Sequence, residues 1–324
     1  MPGALACACA GMLGAHRHRW PRTRPAPKGD ARVTAFLQLL ISGISLGCIY
    51  ALIALGFVLI YKATETVNFA QGELMMLGAF GGLALMQVAH LPFIVAVVLA
   101  IAAMAGCGVL LERVAIRPIL GQPQFTVVML TIGLGFMARG LMTMAPSYGS
   151  DTHALPVPYQ GQVWNFGALV VSVEQVVVIV VTVVLCALLY AMFRYSRIGI
   201  AMQAASQNQL AAYYMGIPVQ RLNGLVWGLS AGVATIAGLL LAPFTFVHVN
   251  MGFIGLKAFP AAVVGGFGSL PGAIVGGLVI GVIESMAGFY LPEGFKDIAA
   301  YVVVLLMLVI KPNGLFGGSV RKKV

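Results

Sequence analysis

Three short segments carry most of the polar chemistry available to this chain. The first is Lys62-Ala-Thr-Glu-Thr-Val-Asn-Phe-Ala-Gln-Gly-Glu73, set between two hydrophobic runs. It brings together two amides, Asn68 and Gln71, and a carboxylate, Glu73, with Gly72 permitting a tight turn. Such groups are costly near membrane depth unless they face a cavity or pathway. They therefore suit contact with a polar solute, an ordinary interfacial loop being the other reading. The second segment, Arg194 to Arg221, is too polar to cross lipid. Residues 201–214 hold good helix formers and no proline, which predicts a short amphipathic helix ended by Gly216 and Pro218. It could dock on a soluble partner or lie in lipid headgroups. The third segment leads from Gly255-Leu-Lys-Ala-Phe259 into Val264-Gly-Gly-Phe-Gly-Ser-Leu-Pro-Gly-Ala-Ile-Val-Gly-Gly277. Glycine and proline at that density break a membrane helix, which is tolerated only where protein or a water-filled cavity satisfies the freed backbone. Broken helices of that kind border substrate routes in transporters.

Other chemistries find no support. Cys7, Cys9, Cys48, Cys107 and Cys186 have no metal-site spacing, and the last three sit in apolar runs as small hydrophobes. The five histidines form no ligand pattern. The chain has no HExxH motif and no GxxxxGK[ST] phosphate loop, so ATP hydrolysis would have to come from a partner.

Composition says what must hold these segments. Hydrophobic residues make up 60% of the 324 and charged residues only 9%. A soluble domain carries about 25% charged residues, so this chain cannot solvate a globular surface. It fits an all-α, polytopic bundle in a lipid membrane, every backbone group paired within its helix. A net charge of +10 then reports orientation rather than nucleic-acid binding.

Charge-poor runs at 34–61, 74–111, 118–145, 175–193, 222–256, 258–283 and 295–311 give about eight spans. Breaks are expected near His90-Leu91-Pro92, Pro243 and Ser269-Leu270-Pro271. Basic residues place 112–124, 194–221 and the C-terminus in the cytoplasm, with 146–172 outside. Counting back puts residues 1–33 outside, against the positive charge of that segment; either the segment is not native or 62–73 hides a re-entrant element. GxxxG spacings at Gly43/Gly47, Gly78/Gly82, Gly272/Gly276 and Gly277/Gly281 point to close helix packing, with oligomer contact open for any one pair. Residues 1–33 read as a disordered extension or a mis-assigned start, with translation beginning near Val33; 34–317 form the transmembrane domain and 318–324 a basic cytoplasmic tail.

The three segments together resemble the permease subunits of branched-chain amino acid ABC importers, over about residues 35–317. The likeness lies in Gly43-Ile-Ser-Leu-Gly-Cys-Ile-Tyr-Ala-Leu-Ile-Ala-Leu-Gly56, in Asn68-Phe-Ala-Gln-Gly-Glu73, and in Glu112-Arg113 with Arg117-Pro118. Arg197 with Gly199, Met215-Gly216-Ile217, the 255–277 region and Pro312-Asn-Gly-Leu-Phe-Gly317 extend it. Gln71 departs from the family's usual histidine, and the second segment carries few charges.

The resemblance implies a second homologous permease subunit, two cytoplasmic ATPase subunits that hold the ATP, and an extracytoplasmic solute-binding protein, in a bacterial inner membrane. This chain itself would hold no cofactor or metal and have no catalytic residue. The polar first segment and the broken third segment give the expected path, lined by Asn68, Gln71, Glu73, Lys257, Gly265, Gly266 and Gly268. The resemblance also implies an ATPase-coupling segment over 199–217, with Gly199, Ala204, Ala205, Gln207, Asn208, Ala212, Met215, Gly216 and Ile217 as its positions and Arg197 just ahead of it. Urea, short amides or another small polar solute remain alternative cargoes. A secondary transporter or channel is the rival class, against which stands the lack of paired carboxylates inside the spans.

Overall fold

The computed structural model describes residues 28–146, 148–149, 151–167, 169–292 and 294–317. Most of the expected N-terminal extension and all of 318–324 lie outside the described residues.

The bundle is built from α1 (Lys28–Thr64), α2 (Gln71–Gln87), α3 (Phe93–Leu111), α4 (Gln124–Thr143) and α5 (Val173–Tyr195). Two short helices follow, α6 (Arg197–Gln207) and α7 (Gln209–Tyr214). Then come α8 (Val219–Thr245), the short pair α9 (Gly252–Lys257) and α10 (Phe259–Gly265), α11 (Leu270–Tyr290) and α12 (Phe295–Ile310). Among the described residues, six helices are long and apolar enough to cross a membrane: α1 from Val33, α3 with its continuation to Ile119, α4, α5, α8 and α11. The helices α2 and α12, of 17 and 16 residues, fall in two further runs expected to span but are shorter than the six. The one hairpin among the described residues, β1 (Val163–Phe166) with β2 (Leu169–Ser172), pairs Trp164 opposite Val171 in the 146–172 loop.

Small residues set the packing. α1 and α11 meet through two facing GxxxG stripes. A Cβ on Gly47 would lie 2.8 Å from the Leu278 Cα and 3.0 Å from the Gly277 carbonyl oxygen. Gly78 and Gly82 of α2 admit Thr235 and Leu239 of α8 in the same way, and Gly276 of α11 admits α10. Where apolar surface gains nothing by leaving lipid, this close approach is the source of helix association.

The described helix α1 begins at Lys28, ahead of the expected boundary at 34. Its early part shares an end of the bundle with the 146–172 loop: Gln175 Nε2 donates to Ser42 Oγ at 3.0 Å, and Gln38 reaches the Val170 carbonyl. Tyr159 in that loop packs edge-on against Phe93, and burial with the nearby Glu174 carboxylate pushes its phenol up. His153 and Val247 exchange backbone hydrogen bonds, tying the loop to the chain after α8. At the opposite end Lys62, Arg194 and Gln203 border one cavity, Arg117 reaches the Gln220 carbonyl, and residues 313–317 pack on Gly266. The segments 112–124 and 194–221, expected in the cytoplasm from their Lys and Arg, share this basic end.

Three local expectations are corrected. Residues 112–119 are not loop: they prolong α3 by one wide turn, Glu112–Ile116, and one tight turn, Arg117–Ile119. The fully buried Glu112 accepts there from Arg117 at 2.7 Å, which holds a carboxylate where a loop could not. α8 ends at Thr245, two residues past Pro243 and so near the end expected there. The single helix expected over 201–214 is two, because Asn208 adopts an extended backbone (φ −159°, ψ 103°) and its side chain caps α7 by accepting from Ala211 N at 2.9 Å. Gly72 makes no turn: it lies inside α2, and its missing side chain lets α9 come against α2 at Gly252 and Gly255.

Candidate translocation site and coupling surface

After α1 ends at Thr64 the chain returns toward the middle of the bundle, and α2 starts beside Ser230, eleven residues into α8. At that level Gln71 is fully buried. Its Nε2 donates to the Ser230 carbonyl at 3.3 Å, and its Oε1 accepts from Asn68 Nδ2 at 3.4 Å. Ser230 Oγ lies 3.0 Å from both Gln71 Oε1 and the Gly56 carbonyl and can donate to either. Asn68 Oδ1 takes the Ala70 N–H at 3.0 Å. This knot joins α1, α2 and α8 with its polar capacity turned inward. Asn68 and Gln71 thus bond to one another and to α8 and do not border the cavity beside Glu73.

Glu73, one turn further along α2, faces a different neighbourhood. Its carboxylate pairs with Arg139 of α4, and the Arg139 guanidinium lies over the Phe253 ring of α9, 3.7 Å from the centroid. The Phe136 ring centroid lies 5.9 Å from the same guanidinium. Both charged side chains are largely buried, 8% and 13% exposed, yet they border a cavity of about 200 Å3. Phe69, Ile132, Gly135, Phe136, Phe253 and Leu256 form its remaining walls. Phe136 and Phe253 are exposed, so the cavity opens on the flank of the chain. Arg139 Nε is buried with no hydrogen-bond acceptor among the described residues. Phe69 is fixed by its N–H to Thr131 Oγ1 (3.2 Å) and by contact with the Phe259 ring, 5.4 Å between centroids.

The other expected path residues are placed elsewhere. Lys257 pairs with Asp297 at the start of α12. Gly265 packs on the backbone of Gly272. Gly266, at φ +95°, turns the chain out of α10, where an added Cβ would lie 2.9 Å from the Asn313 carbonyl oxygen and from Gly317 N. Leu315 N donates to the Val264 carbonyl at 2.8 Å, so the 311–317 segment closes the basic end over α10. Gly268 is exposed at that end. The sequence reading of the site did not include Arg139, Phe136 or Phe253. Arg139 alone left a signal, as a charge inside an apolar run.

The segment 197–217 forms a ledge at the basic end. Ser196 caps α6 by accepting from Gly199 N at 2.9 Å. Gly199 lies against the backbone of Met192 and Phe193, and Gln203 Nε2 donates to the Phe193 carbonyl at 2.9 Å. Gln209 Nε2 holds α7 to the Ala63 carbonyl of α1 at 2.7 Å. Gly199, Ala205 and Ala212 are buried anchors and Ile217 is half-buried. Arg197, Ala204, Gln207, Asn208, Met215 and Gly216 are exposed, joined by Ile198, Ile200, Leu210, Tyr213 and Tyr214. Gly216 takes φ +83° and closes α7, its N–H donating to the Tyr213 carbonyl while Ile217 N donates to the Ala212 carbonyl, both at 3.0 Å. An apolar, exposed ledge at a membrane face suits a protein partner.

A charged, aromatic-walled cavity on the flank of a membrane bundle, with a rigid ledge at one end, defines the class as a polytopic membrane permease. The sequence comparisons are more specific: residues 39–311 match the family described as branched-chain amino acid transport system / permease component, and the chain belongs to that family. The High-affinity branched-chain amino acid transport system permease protein LivH of Salmonella typhimurium is 34% identical, over 89% of this chain and 98% of that protein. LivH of Escherichia coli K12 matches at the same identity and coverage. The corresponding permease protein BraD of Pseudomonas aeruginosa is 31% identical, over 89% of this chain and 98% of that protein. A solved structure, PsaBC from Streptococcus pneumoniae in complex with Fab, matches at TM-score 0.49 and 16% identity over 89% of this chain and 96% of that chain, too weak a likeness to support an inference.

Proposed function

We propose that the Glu73–Arg139 cavity is this chain's share of a path for branched-chain or related amino acids, within an ATP-driven importer. The observation that carries the reading is the pairing of one buried carboxylate with one buried guanidinium at an apolar, aromatic-walled cavity. An amino-acid zwitterion with an aliphatic side chain presents one cation, one anion and one apolar group. Glu73 attracts the ammonium, Arg139 the carboxylate, and Ile132, Leu256 and the phenylalanine rings the side chain. Between transport events the two charges satisfy each other. A neutral cargo such as urea, a short amide or a sugar would leave the ion pair unused. The names of the curated relatives support the same cargo class.

Because the cavity opens on the flank, a second homologous permease supplies the facing wall. Two cytoplasmic ATPase subunits bind the ATP and dock on the α6–α7 ledge, and a solute-binding protein delivers cargo at the opposite end, in a bacterial inner membrane. Nucleotide shifts the bundle between inward- and outward-open packings only as far as its binding differs between them. The test is affinity purification from native membranes in mild detergent with mass spectrometry of the accompanying chains. ATPase subunits and a second permease are the expected companions. Repeated recovery of this chain alone, under conditions that preserve known importer complexes, would oppose the reading.

A further inference from the structure

A second cavity, of about 270 Å3, lies between α1, α5 and α11 at the basic end and takes no part in the path above. Lys62 of α1, Arg194 of α5 and Ser269 at the start of α11 border it at that end. Leu55, Cys186, Leu189 and Ile274 line it deeper in the bundle. Along their helices Leu55 lies seven residues before Lys62, Leu189 five before Arg194, and Ile274 four after Leu270. At 1.5 Å per residue the apolar slot therefore runs about 6–10 Å into the membrane from its two cations. α1 packs on both α5 and α11, but those two helices hardly touch, and the exposed Tyr190 stands at the open edge between them. Neither Lys62 nor Arg194 meets an acidic side chain among the described residues; the three ion pairs present involve other groups.

We propose that this slot binds an anionic phospholipid from the leaflet at the basic end. The phosphodiester sits between Lys62 and Arg194, where Arg194 can offer a two-pronged donor. An acyl chain fills the wall formed by Leu55, Leu189 and Ile274. Basic pockets between membrane helices on the cytoplasmic side recognise anionic headgroups in this manner. A free phosphate would match the cations but leave the apolar wall uncovered, so a lipid is the occupant the lining favours. Gln203 of α6 borders the same slot and also grips the Phe193 carbonyl, so the bound lipid would buttress the base of the α6–α7 ledge. The proposal is independent of the cargo.

Native mass spectrometry of the full chain, released from mild detergent with whatever subunits accompany it, tests the proposal. Phosphatidylglycerol, phosphatidylcholine and glycerol 3-phosphate serve as probes. Phosphatidylglycerol is expected to bind at least tenfold tighter than either of the others. Lys62→Gln with Arg194→Gln should weaken it about tenfold, and Leu189→Trp, which fills the slot and keeps both charges, should weaken it as well. Arg113→Gln with Arg221→Gln removes equal charge from the open groove between α3 and α8 and should change binding less than twofold. Undiminished phosphatidylglycerol binding by the Lys62/Arg194 variant would overturn the proposal. So would an equal loss in the Arg113/Arg221 variant, which would mean diffuse surface charge, or glycerol 3-phosphate binding as tightly as the lipid, which would mean a site for a free anion.

Discussion

Arg139 on α4 and Glu73 on α2, 66 residues apart in the chain, pair inside the bundle, with the guanidinium stacked on Phe253 of α9. One contact thus locks three helices around a cavity. Removing one member of a buried pair strands the other, at about 3 kcal/mol or more. Glu73→Gln should therefore lower the detergent-solubilised protein's thermal midpoint more than the double variant Glu73→Gln/Arg139→Gln, in which no charge is stranded. Thermal unfolding followed by tryptophan fluorescence checks the order of the three proteins.

The knot at Gln71 acts by a different physics. Ser230→Ala removes the hydroxyl shared between Gln71 Oε1 and the Gly56 carbonyl, leaving one buried acceptor short at about 1–2 kcal/mol. Since this knot joins α1, α2 and α8 without bordering the cavity, the expected outcome is lower stability with little change in substrate KM. A large KM change at unaltered stability would place Ser230 in the path instead.

The facing glycines of α1 and α11 give a sharper contrast. Gly47→Leu forces a side chain into the α11 backbone and should cost about 3 kcal/mol or prevent accumulation of the protein. Gly133→Ala on α4, where an added Cβ meets nothing within 4 Å, should be neutral or slightly stabilising. Yield and thermal midpoint of the two variants, side by side, decide.

At the ledge, Gly216→Val places a β-branched residue at φ +83°, at a local cost of roughly 1–2 kcal/mol. The space around Gly216 is open, so the bundle should still fold while the end of α7 is reshaped. Transport and recovery of ATPase subunits on purification should both fall. Charge reversal at the exposed Arg197 should act in the same direction, and normal uptake by both variants would count heavily against a coupling role.

Much of this was legible in the sequence, for identifiable reasons. Spans follow from hydropathy because an apolar run of about 20 residues can satisfy its own backbone in lipid as a helix. The GxxxG stripes at Gly43/Gly47 and Gly277/Gly281 marked real contact faces, though not that they face each other. Glu73 was recognisable as a carboxylate at membrane depth. Its partner was not, because the Glu73–Arg139 pairing depends on how α2, α4 and α9 cross, which local pattern does not encode. The role of Gly72 was hidden for the same reason: glycine at a helix start signals a turn as readily as it signals the approach of a neighbouring helix. Asn208 broke α6 from α7 because its cap geometry outcompeted the helix formers on either side. Gly265 and Gly266 signalled broken structure correctly, but their glycine content serves backbone contact with α11 and residues 313–317.

Uptake of labelled leucine into proteoliposomes holding the assembled importer, with Glu73→Gln/Arg139→Gln in this chain, weighs the path assignment most directly. ATP hydrolysis and subunit composition are measured on the same preparation. With assembly and ATPase activity retained, uptake should fall at least tenfold. Uptake equal to that of the unaltered complex would contradict the assignment and move the solute path away from this cavity.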